Sequence, residues 1–305
     1  MSSSRIVSVF GATGLQGSTV LEALLKDGTF TPRAITRNPD SEAALRLKER
    51  GVEVVEGDSS NKASLVRALQ GSEAVFAITV PLLPPVVTSG PSELTQGKNM
   101  VDASKEAGVK FFIFSSLPDM TKLSGGKYTK ASPADDKQVI EDYLKASGLA
   151  HASLLLGAFL ENLWLLHHEL KKTSIGFDLS TIIYGPTSLQ SFTWIEHDLG
   201  ESVLALLKSY TDPSKTISGK SYPVVTSKMT YPDLAAMISK VLGVPVTFTS
   251  LATSGIPSVD ELVVFAEYDG IYTVPIPNPD LAALGAKFGT MEQFMETEVK
   301  RRYGQ

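Results

Sequence analysis

The sequence predicts an α/β fold, a doubly wound parallel sheet with a smaller α/β lobe following it, on three observations. Strand-like and helix-like segments alternate through the first half of the chain. The first strand and helix meet at a glycine-rich turn, Gly11-Ala12-Thr13-Gly14-Leu15-Gln16-Gly17. The second strand ends on a basic residue, Arg37, roughly 20 residues after that turn.

Residues 5–10 are a short apolar, β-branched run and read as a buried strand. Residues 18–26 read as a helix closed by Gly28. A strand at 32–36 precedes a helix at 41–50, closed by Gly51. A third strand at 52–58, its helix at 62–69 and a fourth strand at 74–79 continue the alternation. A proline-rich loop, 81–91, leads into a long helix over 93–107 with Gly108 after it. The fifth strand is 110–116, the next helix 133–147 with Gly148 after it, and the sixth strand 152–156. Repeated βα units with short turns imply a parallel sheet, right-handed crossovers and helices on both faces.

The second half is less regular. Residues 159–170 read as an amphipathic helix and 184–194 as a mixed segment. Residues 198–207 form another helix with Asp198 as its N-cap. Strands at 222–225 and 246–249 flank a helix at 231–242, and the tail carries helices near 259–268 and 291–302. The division is a nucleotide-binding domain over 1–156, rejoined by part of 190–226, and a smaller lobe that takes most of 157–305. Such a lobe sits over the C-terminal ends of the strands, where sheets of this kind bind ligands.

A chain of 305 residues has ample material for this core. Its formal net charge of −5 is no footprint for direct nucleic-acid or anionic-membrane binding. It contains no cysteine, which removes disulfides, thiolate nucleophiles and cysteine-based zinc sites. No signal peptide and no apolar run of about 18 residues is found, so the expected location is the cytoplasm, with the nucleus as an alternative.

The glycine turn leaves the backbone N–H groups at the start of the first helix aimed at one point. With the positive end of the helix dipole they form a site for a pyrophosphate. Gly11 permits the sharp turn, Gly14 lets a phosphate approach the backbone, and Gly17 lets helix and strand pack closely. A carboxylate at the end of the second strand would hold both ribose hydroxyls of NAD; Arg37 instead suits the 2′-phosphate of NADP. As an isolated residue, Arg37 also reads as a solvated surface arginine.

Other candidates follow the strand ends. Asp58-Ser59 lies where adenine would sit, although Asp58 equally suits a cap on the following helix. Thr79-Val80 runs along the ribose nearer the nicotinamide, Ser115 lies near the nicotinamide ring, and Lys137 sits on the next helix. None of the nine tyrosines has a lysine four residues on, so the tyrosine–lysine proton relay of short-chain dehydrogenases is missing. Proton chemistry then falls to Lys137, a hydroxyl or a water. His167-His168-Glu169 lacks metal-ligand spacing, and His197 beside Asp198 reads as structural. No Gly-x-Ser-x-Gly elbow supports a serine hydrolase.

The residues 11–17, Thr36-Arg37-Asn38-Pro39, 54–58 and Phe114-Ser115-Ser116 resemble the NmrA-like family, atypical short-chain dehydrogenase/reductases. The resemblance continues through Lys137, Gly157-Ala158-Phe159-Leu160-Glu161-Asn162 and Asp198-Leu199-Gly200, nearly the whole chain. It implies a Rossmann domain with a small C-terminal lobe, and NADP held by the backbone at Thr13 to Gly17 with Arg37 on its 2′-phosphate. It also implies Asp58 near adenine, Thr79 near the ribose, and Lys137, Phe159 and Asn162 at the nicotinamide end.

Two functions are consistent with this. One is an NADP(H)-dependent oxidoreductase transferring hydride to a small, apolar carbonyl or enone, with Lys137 as its catalytic residue. Phe159, Leu163, Trp164, Phe192, Trp194, Phe265 and Tyr268 would then supply a pocket or, for at least half of them, plain core. The other is a non-catalytic redox sensor whose cofactor state is read by a regulatory protein partner. The reductase takes precedence.

Overall fold

The computed structural model describes residues 5–82, 89–165, 170–264 and 272–304. The first half runs β1 (Ile6–Val9), α1 (Leu15–Asp27), β2 (Thr31–Thr36), α2 (Glu42–Glu49), β3 (Glu53–Glu56), α3 (Lys62–Ala68) and β4 (Ala74–Ala77). It continues with α4 (Glu93–Glu106), β5 (Phe111–Ser116), α5 (Met120–Leu123), α6 (Ser132–Ser147) and β6 (His151–Leu156). The second half holds β7 (Ala158–Phe159), β8 (Leu170–Lys172), β9 (Phe177–Ile182), β10 (Leu189–Thr193) and α7 (Gly200–Ser209). After these come β11 (Lys220–Val224), β12 (Ser227–Thr230), α8 (Tyr231–Leu242), β13 (Val246–Leu251) and α9 (Pro257–Val263).

Seven strands make one parallel sheet in the order β11-β6-β5-β4-β1-β2-β3, flanked by helices in the Rossmann arrangement. The chain direction across the sheet reverses between β1 and β4. That reversal opens a crevice at the strands' C-terminal ends. Strands β4 and β5 are buried along their whole length, which is why they read as continuous apolar runs. Val20, Leu21 and Leu24 of α1 and Val203 of α7 cover one face of the sheet, against Val7, Val9 and Phe76. Leu65, Met100, Val101, Ile140 and Leu144 cover the other, against Phe112 and Phe114. Each fully buried side chain of this size contributes about 1.5–3 kcal/mol through burial.

The lobe contains two three-stranded sheets, β12-β10-β7 and β13-β9-β8. Its core is aromatic: Tyr231 contacts Tyr184 at 4.8 Å and Phe192 edge-on at 5.3 Å between ring centroids. Helix α8 starts on a capping box, Thr230 with Asp233, and ends at Gly243.

Two expectations are corrected. Residues 159–170 are not an amphipathic helix over the described part: β7 is followed by a single 3-10 turn, Leu160–Leu163. Backbone pairing of Ala158 and Phe159 with Phe192 and Thr193 wins over the local periodicity. Close packing at Gly157 permits it, since a Cβ there would lie 2.4 Å from the carbonyl oxygen of Ser191. Asp198 is not an N-cap. A π-turn over Ile195–Leu199 runs directly into α7, so Asp198 lies inside the helical run and is fully buried. It accepts from His197 Nδ1 and the Gly289 N–H at 2.8 Å each, and from the Thr226 hydroxyl. Leu163, Phe192 and Trp194 belong to the lobe core with Trp164 packed against it, and none of the four lines the cleft, in line with the plain-core alternative for at least half of that set. His167, His168, Glu169, Phe265 and Tyr268 lie outside the described residues, as does part of the 81–91 loop. Among the described residues no helix is long and apolar enough to cross a membrane.

Candidate functional site

A cleft of about 600 Å3 opens where the sheet order reverses. The turn from Gly11 to Gly17 forms its floor, the end of β2 from Ile35 to Asn38 one side, and Ile78, Val80, Leu82 and Phe159 the other end. Gly11 sits at φ +63°, a left-handed conformation that turns the chain out of β1. A Cβ on Gly17 would lie 2.2 Å from the Gly11 carbonyl oxygen, so only glycine lets α1 pack this close to β1. Gly14, at the helix start, is exposed and crowded by nothing nearer than 3.4 Å. Helix α1 has no side-chain cap and no acidic residue in its first turn. Its orphan N–H groups and dipole therefore favour an anion here. Arg37 is exposed at the far side of the same cleft and forms no ion pair with a described residue.

The cleft thus unites Gly11, Thr13, Gly14, Leu15, Gln16, Gly17, Arg37, Ser59, Val80 and Phe159. Asp58, Thr79, Ser115, Lys137 and Asn162 stand outside its lining. Ser115 is buried, and its hydroxyl donates to Gln16 Oε1 at 2.7 Å, tying the end of β5 to the glycine turn. Asp58 accepts from the Ser60 N–H at 2.8 Å; the cap of α3 is Asn61 rather than Asp58. Asn162 lies half-buried on the 3-10 turn that follows Phe159.

Thr79 and Lys137 are buried together behind the cleft wall, 2% and 8% exposed. The Lys137 ammonium pairs with Glu93, donates to Thr79 Oγ1 at 2.9 Å and approaches the Thr79 carbonyl at 3.4 Å. The Thr79 hydroxyl in turn donates to Glu93 Oε1 at 2.6 Å. Gln96 lies one turn further along α4. It accepts from the Val80 N–H at 3.0 Å and donates to the Val80 carbonyl at 2.8 Å, clamping the segment after β4. Sequence reasoning passes over Glu93 and Gln96. A carboxylate in the first turn of α4 already has a helix-dipole explanation, and a glutamine carries no spacing signal.

Another buried carboxylate lies beyond Phe159. Glu161 Oε1 accepts from the Glu196 N–H at 2.8 Å, at the start of the run that becomes α7. Burial pushes its carboxyl up to about 7, against backbone hydrogen bonds that favour the charged form.

Residues 3–294 match the family model described as the NmrA-like family, nearly the whole chain. The NmrA-like family domain-containing oxidoreductase notA of Aspergillus sp. (strain MF297-2) is 42% identical over 146 residues, 47% of this chain and 43% of notA. The chain therefore matches less than half the length of that relative. The NmrA-like family domain-containing oxidoreductase malD of Malbranchea aurantiaca is 31% identical over 245 residues, 74% of this chain and 70% of malD. Among solved structures, NmrA, a negative transcriptional regulator, in complex with NADP has a TM-score of 0.77 at 19% identity. That likeness, one of fold, covers 99% of this chain and 97% of NmrA. Sheet order, glycine turn and matched residues converge, and the chain belongs to the NmrA-like family.

Proposed function

We propose that the protein is an NADP(H)-dependent oxidoreductase that transfers hydride to a small, apolar carbonyl or enone. The carrying observation is a single cleft with an anion-binding helix start and Arg37 at one end and Val80, Leu82 and Phe159 at the other. When bound, NADPH supplies the hydride. The backbone from Thr13 to Gly17 holds the pyrophosphate in this reading and Arg37 the 2′-phosphate. Ser59, with Asp58 beside it, borders the adenine, while Gln16, Ser115, Thr79, Lys137, Phe159 and Asn162 serve the nicotinamide end. Residues 1–156, with α7 and β11 joined to their sheet layer, form the cofactor domain; the rest of 157–305 closes over the substrate. Two relatives named as oxidoreductases and a fold neighbour solved with NADP support this reading.

The test is NADPH consumption, followed by absorbance, over a panel of carbonyls, quinones and enones. Turnover of an apolar member is the expected result. Tight NADPH binding with no turnover across the panel overturns the reductase. It leaves the second reading, a cofactor sensor read by a protein partner. That reading has its own support: the fold neighbour is a transcriptional regulator, and Lys137 is committed to Glu93 and Thr79 instead of lining the cleft.

A further inference from the structure

We propose that Glu93 is the positioning residue for Lys137, holding its ammonium just behind the cleft wall through a shared contact with Thr79; this rests on the reductase reading above. The three groups come from three distant segments, the end of β4, the first turn of α4 and the middle of α6. Glu93 Oε1 takes both the Lys137 ammonium and the Thr79 hydroxyl, so one oxygen fixes the two donors relative to each other. The neighbours of Thr79 in the chain, Ile78 and Val80, line the cleft, which places the cluster one residue behind its wall.

Stability alone is a poor reason for this arrangement. Burying an ion pair costs about as much as it returns, and packed apolar residues do as well or better. The second carboxylate oxygen of Glu93 is moreover buried with no hydrogen-bond partner. Leaving such an acceptor buried opposes folding and so adds to the argument against a purely stabilising role. The negative charge is felt locally: the Asp136 carboxyl is held above the usual range by burial and by Glu93 and Asp135 nearby. A lysine on a four-carbon stem has many rotamers, and a fixed carboxylate is what selects one of them.

Three variants test the assignment: Glu93→Gln, Glu93→Asp, and the apolar pair Glu93→Leu with Lys137→Met. In Glu93→Gln, kcat falls by about a hundredfold while KM and the NADPH dissociation constant stay within about twofold, the pattern of a misplaced group. Glu93→Asp recovers part of the loss by restoring the charge. The apolar pair keeps the fold, read as an unchanged thermal midpoint, and loses turnover. Wild-type kcat in the folded apolar pair, or in Glu93→Gln, overturns the proposal and leaves the pair as a structural staple. If wild-type protein binds NADPH but reduces nothing, the reductase reading fails, and Glu93 is judged on the bound cofactor instead. Nicotinamide fluorescence of bound NADPH that differs between Glu93→Gln and wild type supports positioning at that end of the cleft; identical fluorescence overturns it.

Discussion

The two ends of the cleft are built on opposite principles. The glycine end is one contiguous stretch, Gly11 to Gly17, and offers backbone N–H groups from a helix start. The lysine end is three side chains, Thr79, Glu93 and Lys137, brought together from segments up to 58 residues apart. The first depends on the absence of side-chain atoms: a Cβ at Gly17 would overlap the backbone of Gly11. The second depends on the presence of every partner, because one oxygen of Glu93 takes both the Lys137 ammonium and the Thr79 hydroxyl. A backbone site therefore tolerates most chemistry but no added bulk, while a buried network tolerates similar bulk but no missing charge.

Four perturbations sharpen that contrast. The largest effect is expected from Lys137→Ala, which leaves the Glu93 carboxylate buried without its ion pair. We expect a loss of about 3–5 kcal/mol in denaturant unfolding, far more than for the apolar pair variant. A loss below 1 kcal/mol would break the comparison.

Glu161 extends it to another buried carboxylate with a distant partner. Its folded-state value, about 7, lies above the ordinary 4.5. A raised folded value means full stability below the ordinary pKa and progressive loss as pH climbs through the folded one. Glu161→Gln keeps an acceptor for the Glu196 N–H, so the variant should match wild type near pH 4.5. Above pH 7 it should be more stable, by about 3 kcal/mol. Parallel stability curves across this range would show that Glu161 titrates normally.

Gly17→Ala probes the backbone end. Overpacking of α1 against β1 should cost about 1–3 kcal/mol and remove NADP binding, measured by calorimetry. Retained affinity would mean that the helix start shifts without loss of the site. The smallest effect is expected from Arg37→Asp. NADP affinity should fall about tenfold to a hundredfold more than NAD affinity, with stability unchanged. Equal losses would remove Arg37 from the phosphate site.

The same contrast explains what was legible in the sequence. The glycine turn is readable because spacing and function share one short segment. Helix α8 is readable for the same reason, with Thr230, Asp233 and Gly243 marking both ends locally. The position of Asp198 before an apolar run suits a cap, whereas Thr226 and Gly289 reach it only in the folded chain. The apolar spacing from Phe159 onward likewise suits a helix locally but serves a strand pair and a core in the folded chain.

The order of βα units, the parallel sheet they imply and the anion-binding turn were determined by the sequence itself, through periodicity, glycine placement and helix ends that act over a few residues. Tertiary structure alone decided that Lys137 meets Glu93 behind the cleft wall and that Asp198 is a buried hub. It also decided that β12, directly after β11 in the chain, joins the lobe and not the main sheet. Those outcomes depend on burial and long-range partners, whose energies exist only once the chain has closed on itself.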